Sequence, residues 1–428
     1  MIKRISLLIF LFFLFFQGVR GAQTIKVNAL IEEALQNNPA LKALEQNRKS
    51  AQSAVKPAGA LPDPMLEMSI MSVPVDTFSL TQEEMTQKVL SLKQEIPFPT
   101  KLKSAQKIAE LEAQLANSQV RIFEEQLKFD VKKNFYELAN LEETLRVTQS
   151  NIATLTNLAK TATSLYSVGK SAQWDVFSAQ VETIKLNQQS LVLSQKITSV
   201  KAKLAMLLGR DNFEIEGETE VAWTPLFEGE LEKFNNAALE NNPQLEYIEI
   251  MLKKAQESAR LAEKWKLPDF SITLSYGQRG KVEMNGMSEN LPDFLSAMVG
   301  ISVPLYARRK QIPLTVSAQA QVNAIKLALE NEKLRILSDI KSLTERIKQR
   351  DKTEELYRTG IIPQARSTLQ SALASYQVSK VDFLSLLRSQ LDLMNFELEY
   401  FSVRIEREVD IAELEMLMGV SLSEVFQR

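Results

Sequence analysis

The chain has 428 residues with 51 basic and 53 acidic side chains, and it contains no cysteine and no histidine. Those absences exclude disulfides, thiolate and imidazole metal sites and every catalytic arrangement built on Cys or His, and the evenly mixed charge leaves no nucleic-acid footprint. Only 13 Gly and 14 Pro punctuate a composition rich in Leu, Ala, Glu, Gln, Lys and Ser, which favours helix because straight side chains lose little rotamer freedom there.

The opening MIKRISLLIFLFFLFFQGVRGAQ predicts a secretory signal peptide over residues 1–21. Lys3 and Arg4 precede an apolar run, Ile5–Phe16, interrupted only by Ser6, and Val19 and Gly21 suit a cleavage point. The run is short of the roughly 20 residues a membrane span needs. No later stretch is long and apolar enough for a transmembrane helix. The exported chain is therefore either soluble or crosses another membrane by strands.

Next comes ALQNNPALKAL, Ala34–Leu44. A short helix near Ile31–Asn37 ends here, Asn38 caps a new one, and Pro39 takes its first position. The phrase reads as a helix junction rather than a ligand site. MLEMSIMSV and QKVLSLKQEI follow as two strands joined by the polar loop Pro74–Met85.

Lys101–Val168 then runs without Gly or Pro, enough for a helix about 100 Å long. Its apolar residues Leu138, Leu141, Leu145, Thr148, Ile152, Leu155, Ala159, Ala162 and Tyr166 alternate three and four apart. After the turn phrase LYSVGK (165–170), a return helix within Lys170–Leu208 keeps the same rhythm at Val176, Ala179, Thr183, Leu186, Ser190, Leu193, Ile197, Val200, Leu204 and Leu207. Sustained spacing of this kind packs helices side by side as coiled coils.

The second half repeats the first. A short helix over Leu231–Asn241 leads to ALENNPQLEYI (238–248), with Asn242 and Pro243 in the capping positions. FSITLSYG sets Phe270, Ile272, Leu274 and Tyr276 on one face, with Ser271, Thr273 and Ser275 opposite. LSAMVGISV does the same with Leu295, Ala297, Val299, Ile301 and Val303. The polar loop Gln278–Asp293 joins these strands. Two more breaker-free stretches, Leu314–Thr359 and Gln364–Met418, carry the turn phrase SYQVSK (375–380) and a third heptad seam through Leu387, Leu391, Met394, Leu398, Phe401 and Ile405.

The phrases recur in order about 200 residues apart, MLLG answering MLMG at the ends, so the chain is a duplicated unit. This predicts a first repeat over 22–209 with a strand hairpin about 64–97, a linker over 210–230, and a second repeat over 231–428 with a hairpin about 269–304. The fold class is mainly α with a small β part. Four strands per chain cannot close a membrane barrel, which starts at about 8 strands, so the hairpins of several copies must combine, with the long helices forming a second, helical barrel.

In its duplicated ALxNNPxL openings, its LPDP and QEIPFPTKL segments and its helix-turn phrases near Tyr166 and Tyr376, the chain resembles the TolC family of outer-membrane efflux channels over essentially all of its mature length. The resemblance implies a homotrimer. A 12-stranded β-barrel in outer-membrane lipid continues into a periplasmic α-barrel of coiled-coil helices, and the whole is a passive exit duct serving a periplasmic adaptor protein and an inner-membrane pump. AGALPDPMLEMSI, LKQEIPFPTKL and YQVSKVDFLSLLRSQ look most like the heavy-metal branch, which makes metal cations or drugs the expected cargo; type I protein secretion stays open as an alternative, and a periplasmic coiled-coil scaffold is disfavoured by the two hairpins.

A duct needs no catalytic residue and no cofactor, and none is assigned. Met394 and Met416 read as core rather than metal ligands. The functional candidates sit at the turns between long and return helices: Tyr166, Lys170, Asp175, Tyr376, Lys380, Asp382 and Arg388. The resemblance places them at a periplasmic gate, where Asp side chains either ring the pore and favour cations or simply cap the return helices.

Overall fold

The computed structural model describes residues 24–212, 215, 217–225, 230–284 and 287–427, so the stretch 1–21 expected to be a signal peptide lies outside the described residues. In chain order the elements are β1 (Thr24–Ile25), α1 (Val27–Asn37), α2 (Pro39–Ala58), β2 (Met65–Met71), β3 (Gln87–Ile96), α3 (Pro99–Ser167), α4 (Gln173–Leu207), β4 (Glu218–Thr219), α5 (Leu231–Asn241), α6 (Pro243–Lys264), β5 (Phe270–Arg279), β6 (Lys281–Met284), β7 (Met287–Asn290), β8 (Phe294–Ile301), α7 (Gln311–Leu356), a π-turn (Tyr357–Ile361), α8 (Ile362–Gln377), α9 (Phe383–Met418) and α10 (Leu422–Gln427). One compact unit gathers the residues up to 42 with 123–242 and 335–428, and the other gathers 43–122 with 243–334. Each half of the sequence supplies segments to both.

The second unit holds an antiparallel sheet in the order β2-β3-β5-β8. Its register aligns the apolar sets that alternation picks out. Ile272 pairs with Val299, Leu274 with Ala297 and Tyr276 with Leu295. On the other side of β5, Leu274 pairs with Leu92 and Tyr276 with Leu90, and these in turn face Leu66 and Met68 of β2. A one-residue slip would turn every one of these side chains to the opposite face. The opposite face carries Ser91, Ser271, Thr273, Ser275 and Ser296, and the hydroxyls of Ser91 and Ser275 lie 2.9 Å apart. The loop expected over Gln278–Asp293 is different in the structure. β5 extends to Arg279, and β6 pairs with β7 as a second hairpin beyond it.

In the first unit, the predicted seam of α4 is the buried one. Val176, Ala179, Leu186, Leu193, Val200 and Leu204 are all buried. Val176, Ala179 and Leu186 join Leu155 and Ala162 of α3 and Phe383, Leu386, Leu387 and Met394 of α9. Tyr166 departs from the seam and is 46% exposed. Met394 is buried as expected, whereas Met416 is half-buried. Gly360 and Pro363, expected to punctuate the chain, do not end its helix. The amide of Ile362 bonds the carbonyl of Tyr357, five residues back, and this wider turn absorbs the missing Pro donor and its steric demand. The linker also holds structure: β4 pairs in parallel with β1, two residues each.

The NNP junctions form as predicted, with the first short helix beginning at Val27 rather than near Ile31. Asn38 Oδ1 accepts from the amides of Ala40 (2.9 Å) and Leu41 (3.1 Å). Its Nδ2 meanwhile donates to the carbonyl of Leu207 at 2.9 Å, and Asn242 Nδ2 donates to Leu417 at 2.7 Å. The two repeated phrases, NNP at the start and ML-G at the end of each half, are thus the two sides of one joint. Gly209 and Gly419 turn the chain there at φ 70° and 69°, and a Cβ on Gly209 would stand 2.7 Å from the Asn37 carbonyl. Replacing Asn38 by Ala should cost about 1–2 kcal/mol, while Asp keeps the cap and loses only the donor, at roughly half that cost. Chemical denaturation of the two variants measures the difference, and an Asp variant as stable as wild type would mean the link to Leu207 carries nothing.

Candidate functional site

The turn between α3 and α4 is built by Gly169 at φ 73°, with Lys170 N bonding Leu165 O (2.9 Å) and Gly169 N bonding Tyr166 O (3.0 Å). The turn between α8 and α9 repeats it: Lys380 N bonds Ser375 O and Ser379 N bonds Tyr376 O, both at 2.9 Å. Both are left-handed helix ends that satisfy the last carbonyls. In the second turn Ser379 holds φ 57°, a conformation that favours glycine.

The two equivalent tyrosines fare oppositely. Tyr376 is 4% exposed, edge-on to Phe383 with ring centroids 5.5 Å apart, while Tyr166 is half out in solvent. The Tyr376 hydroxyl lies 3.2 Å from Ser171 Oγ, and Ser171 Oγ donates to Asp175 Oδ2 at 2.5 Å. A serine hydroxyl has one hydrogen. With that hydrogen on Asp175, Tyr376 donates to Ser171, giving a relay Tyr376–Ser171–Asp175 that ties the second turn to the first. Burial holds the Tyr376 hydroxyl above its ordinary pKa, and the nearby charge of Asp175 acts in the same direction.

The other candidates do not join this cluster. Asp382 is the N-cap of α9, its Oδ1 accepting from Ser385 N at 3.3 Å. Asp175 is not a cap, since that position is Ala172; it stands in the first turn of α4. Lys170, Lys380 and Arg388 are exposed. Sequence reasoning missed Ser171, whose one signal is its place four residues before Asp175. It also missed a buried polar pair deeper in the bundle, where Gln390 Nε2 donates to Asn151 Oδ1 at 2.7 Å. A polar pair buried between α3 and α9 sets their register, because sliding would strand both amides.

Two surfaces remain uncovered. The outer face of α4 carries a second seam, Trp174, Phe177, Val181, Ile184 and Leu191, each more than half exposed and again three and four apart but for Gln188. The apolar face of the sheet is the other: Leu66, Met68, Ile70, Leu90, Leu92, Ile272, Leu274, Leu295 and Val299 are all exposed, Met68 by 84%. Aromatic residues mark both ends of this face. Tyr276, paired with Leu295, lies at one end, and Trp265 and Tyr306 lie at the end nearest the helices. An exposed apolar band between aromatic girdles is the outer surface of a membrane barrel. No helix among the described residues is long and apolar enough to cross a membrane, and no group of three or more acidic residues there could hold a metal ion.

A family model described as "Outer membrane efflux protein" matches residues 30–210 and 235–420. Outer membrane protein TolC of Vibrio cholerae is 20% identical over 323 residues, covering 74% of this chain and 72% of the relative. The solved structure of CusC superposes with a TM-score of 0.80 at 15% identity, over 94% of this chain and 93% of that one. VceC of Vibrio cholerae superposes at 0.78 with 18% identity, over 92% and 96%. The CmeC channel of Campylobacter jejuni does so at 0.77 with 12% identity, over 92% and 85%. These likenesses bear on the fold, which is mainly helical with a small β part in the manner of those channels.

Proposed function

The chain belongs to the outer membrane efflux protein family, and on that premise we propose that three copies close one channel which a periplasmic adaptor and an inner-membrane pump load with metal cations or drugs. As a member it is an outer-membrane efflux channel with a periplasmic extension, a transport protein rather than an enzyme.

The observation that carries the trimer is the four-stranded sheet, apolar and exposed on one face, with β2 and β8 as its edges. Lipid offers no partner to an edge strand, so the sheet must close on copies of itself. Two copies would give about eight strands, whose interior side chains fill. An efflux duct needs a lumen, and three copies provide one. The second seam of α4 fits the same reading, since a coiled-coil face three and four apart is completed by another helix. The heavy-metal branch rests on the resemblance of the segments around both hairpins and the second turn. The relay at the turns is the gate in this reading.

The absence of native cysteine makes the test clean. Pairs of cysteines, one on β2 at Ser69 or Met71 and one on β8 at Ser296 or Met298, should form disulfides between copies and give a ladder ending at trimer on denaturing gels. Protein that reaches the outer membrane yet cross-links in no pair of the panel would refute closure by β2 and β8.

A further inference from the structure

One end of the sheet carries chemistry that a passive duct does not use. After β8, the chain continues through Val303, Leu305 and Tyr306, each more than half exposed. It then turns into α7 through three exposed cations, Arg308, Arg309 and Lys310. Among the described residues none of the three has a side-chain hydrogen bond or ion pair, although the turn itself is ordered by Arg309 N and Lys310 N on the carbonyl of Tyr306, at 2.9 and 3.1 Å. Beside it, Ser302 N bonds Asp269 O (2.8 Å) and Asp269 N bonds Ser302 Oγ (2.9 Å), which brings exposed Trp265 and Lys266 to the same end. The acids on these two segments are Glu263, which is exposed, and Asp269, which is taken by Lys101 Nζ and Phe98 N at 2.8 Å each. The cations do not serve the helix they precede. The dipole at the start of α7 favours acids, and its first turn holds none.

Apolar side chains, an aromatic pair and then unpaired cations are the sequence of environments met on leaving a bilayer through its headgroups. This sheet end adjoins the helices, so it faces the periplasm. We propose that Arg308, Arg309 and Lys310, with Tyr306 above them, bind the phosphate of an anionic phospholipid headgroup in the periplasmic leaflet of the outer membrane, one site in each copy. The proposal rests on reading the sheet as the membrane barrel.

The test uses the full-length protein reconstituted in nanodiscs of mixed phosphatidylglycerol and phosphatidylcholine, with retained lipid counted by native mass spectrometry at low salt. Wild type should retain phosphatidylglycerol in preference. The triple variant Arg308→Gln/Arg309→Gln/Lys310→Gln should lose that preference by about tenfold or more, while the charge-conserving Arg308→Lys/Arg309→Lys keeps it. Equal retention of both lipids by wild type, or an undiminished preference in the triple variant, overturns the site. Displacement of the lipid by millimolar glycerol phosphate would make it a free-anion site and overturn the lipid assignment. Failure of wild type to insert into the bilayer would sink the barrel reading together with the site, whereas insertion without preference sinks the site alone.

Discussion

Arg at Ile272 or at Val299 should remove the protein from the outer membrane. The two residues are paired neighbours on adjacent strands, both exposed on the apolar face. Near the bilayer midplane an Arg costs about 2–4 kcal/mol, and a trimer repeats that cost three times, for a total of roughly 6–12 kcal/mol. That equals the whole stability of a typical domain, about 5–15 kcal/mol. The same substitution at Thr273 or Ser275, on the polar face of the same strand, should be far milder because a lumen side chain keeps its water. Envelope fractionation with a gel assay for the assembled oligomer reads both. If Ile272→Arg and Thr273→Arg assemble equally well, the facing of β5 is wrong.

The double variant Tyr376→Phe/Asp175→Ala should open the channel. It removes both ends of the relay through Ser171, and each bond is worth about 0.5–1.5 kcal/mol, more for the one to a carboxylate. With three copies the closed state loses at least about 3 kcal/mol, a shift of more than a hundredfold in a two-state gate. Single-channel conductance in planar bilayers should rise from small wild-type openings to sustained ones. Asp382→Ala is the contrasting variant. Its contact is a helix cap, so it should weaken α9 by about 0.5–2 kcal/mol and leave conductance near wild type. A double variant that is trimeric and conducts like wild type would place the gate elsewhere.

The periodic and capping signals were open to reading because they are local. Alternation over Phe270–Tyr276 needs only the two-residue period of a strand, and the Asn38-Pro39 start needs only its own backbone amides. The seam of α4 follows from spacing along a single helix. Partner choice is not local. Ser171 is marked among turn serines only by its place four residues before Asp175, and it joins the relay only because α8 and α9 deliver Tyr376 to it. The β6–β7 hairpin did carry a local signal, Val282 and Met284 alternating with Lys281 and Glu283 before Asn285-Gly286, but the run is four residues long and sits inside a polar loop.

What this sequence determined by itself is the duplicated order of helices and strands, and the face of each strand that avoids water. Those follow from backbone geometry and side-chain solubility acting over a few residues. Which of the two apolar seams of α4 is buried, and why Tyr376 lies inside while its equivalent Tyr166 does not, was decided only in the tertiary structure. The repeats carry the same phrases in the same order, but within one copy the seam through Val176 and Leu186 meets α3, and the seam through Trp174 and Ile184 does not. A helix presents both faces alike, and burial goes to the one that the rest of the chain can reach.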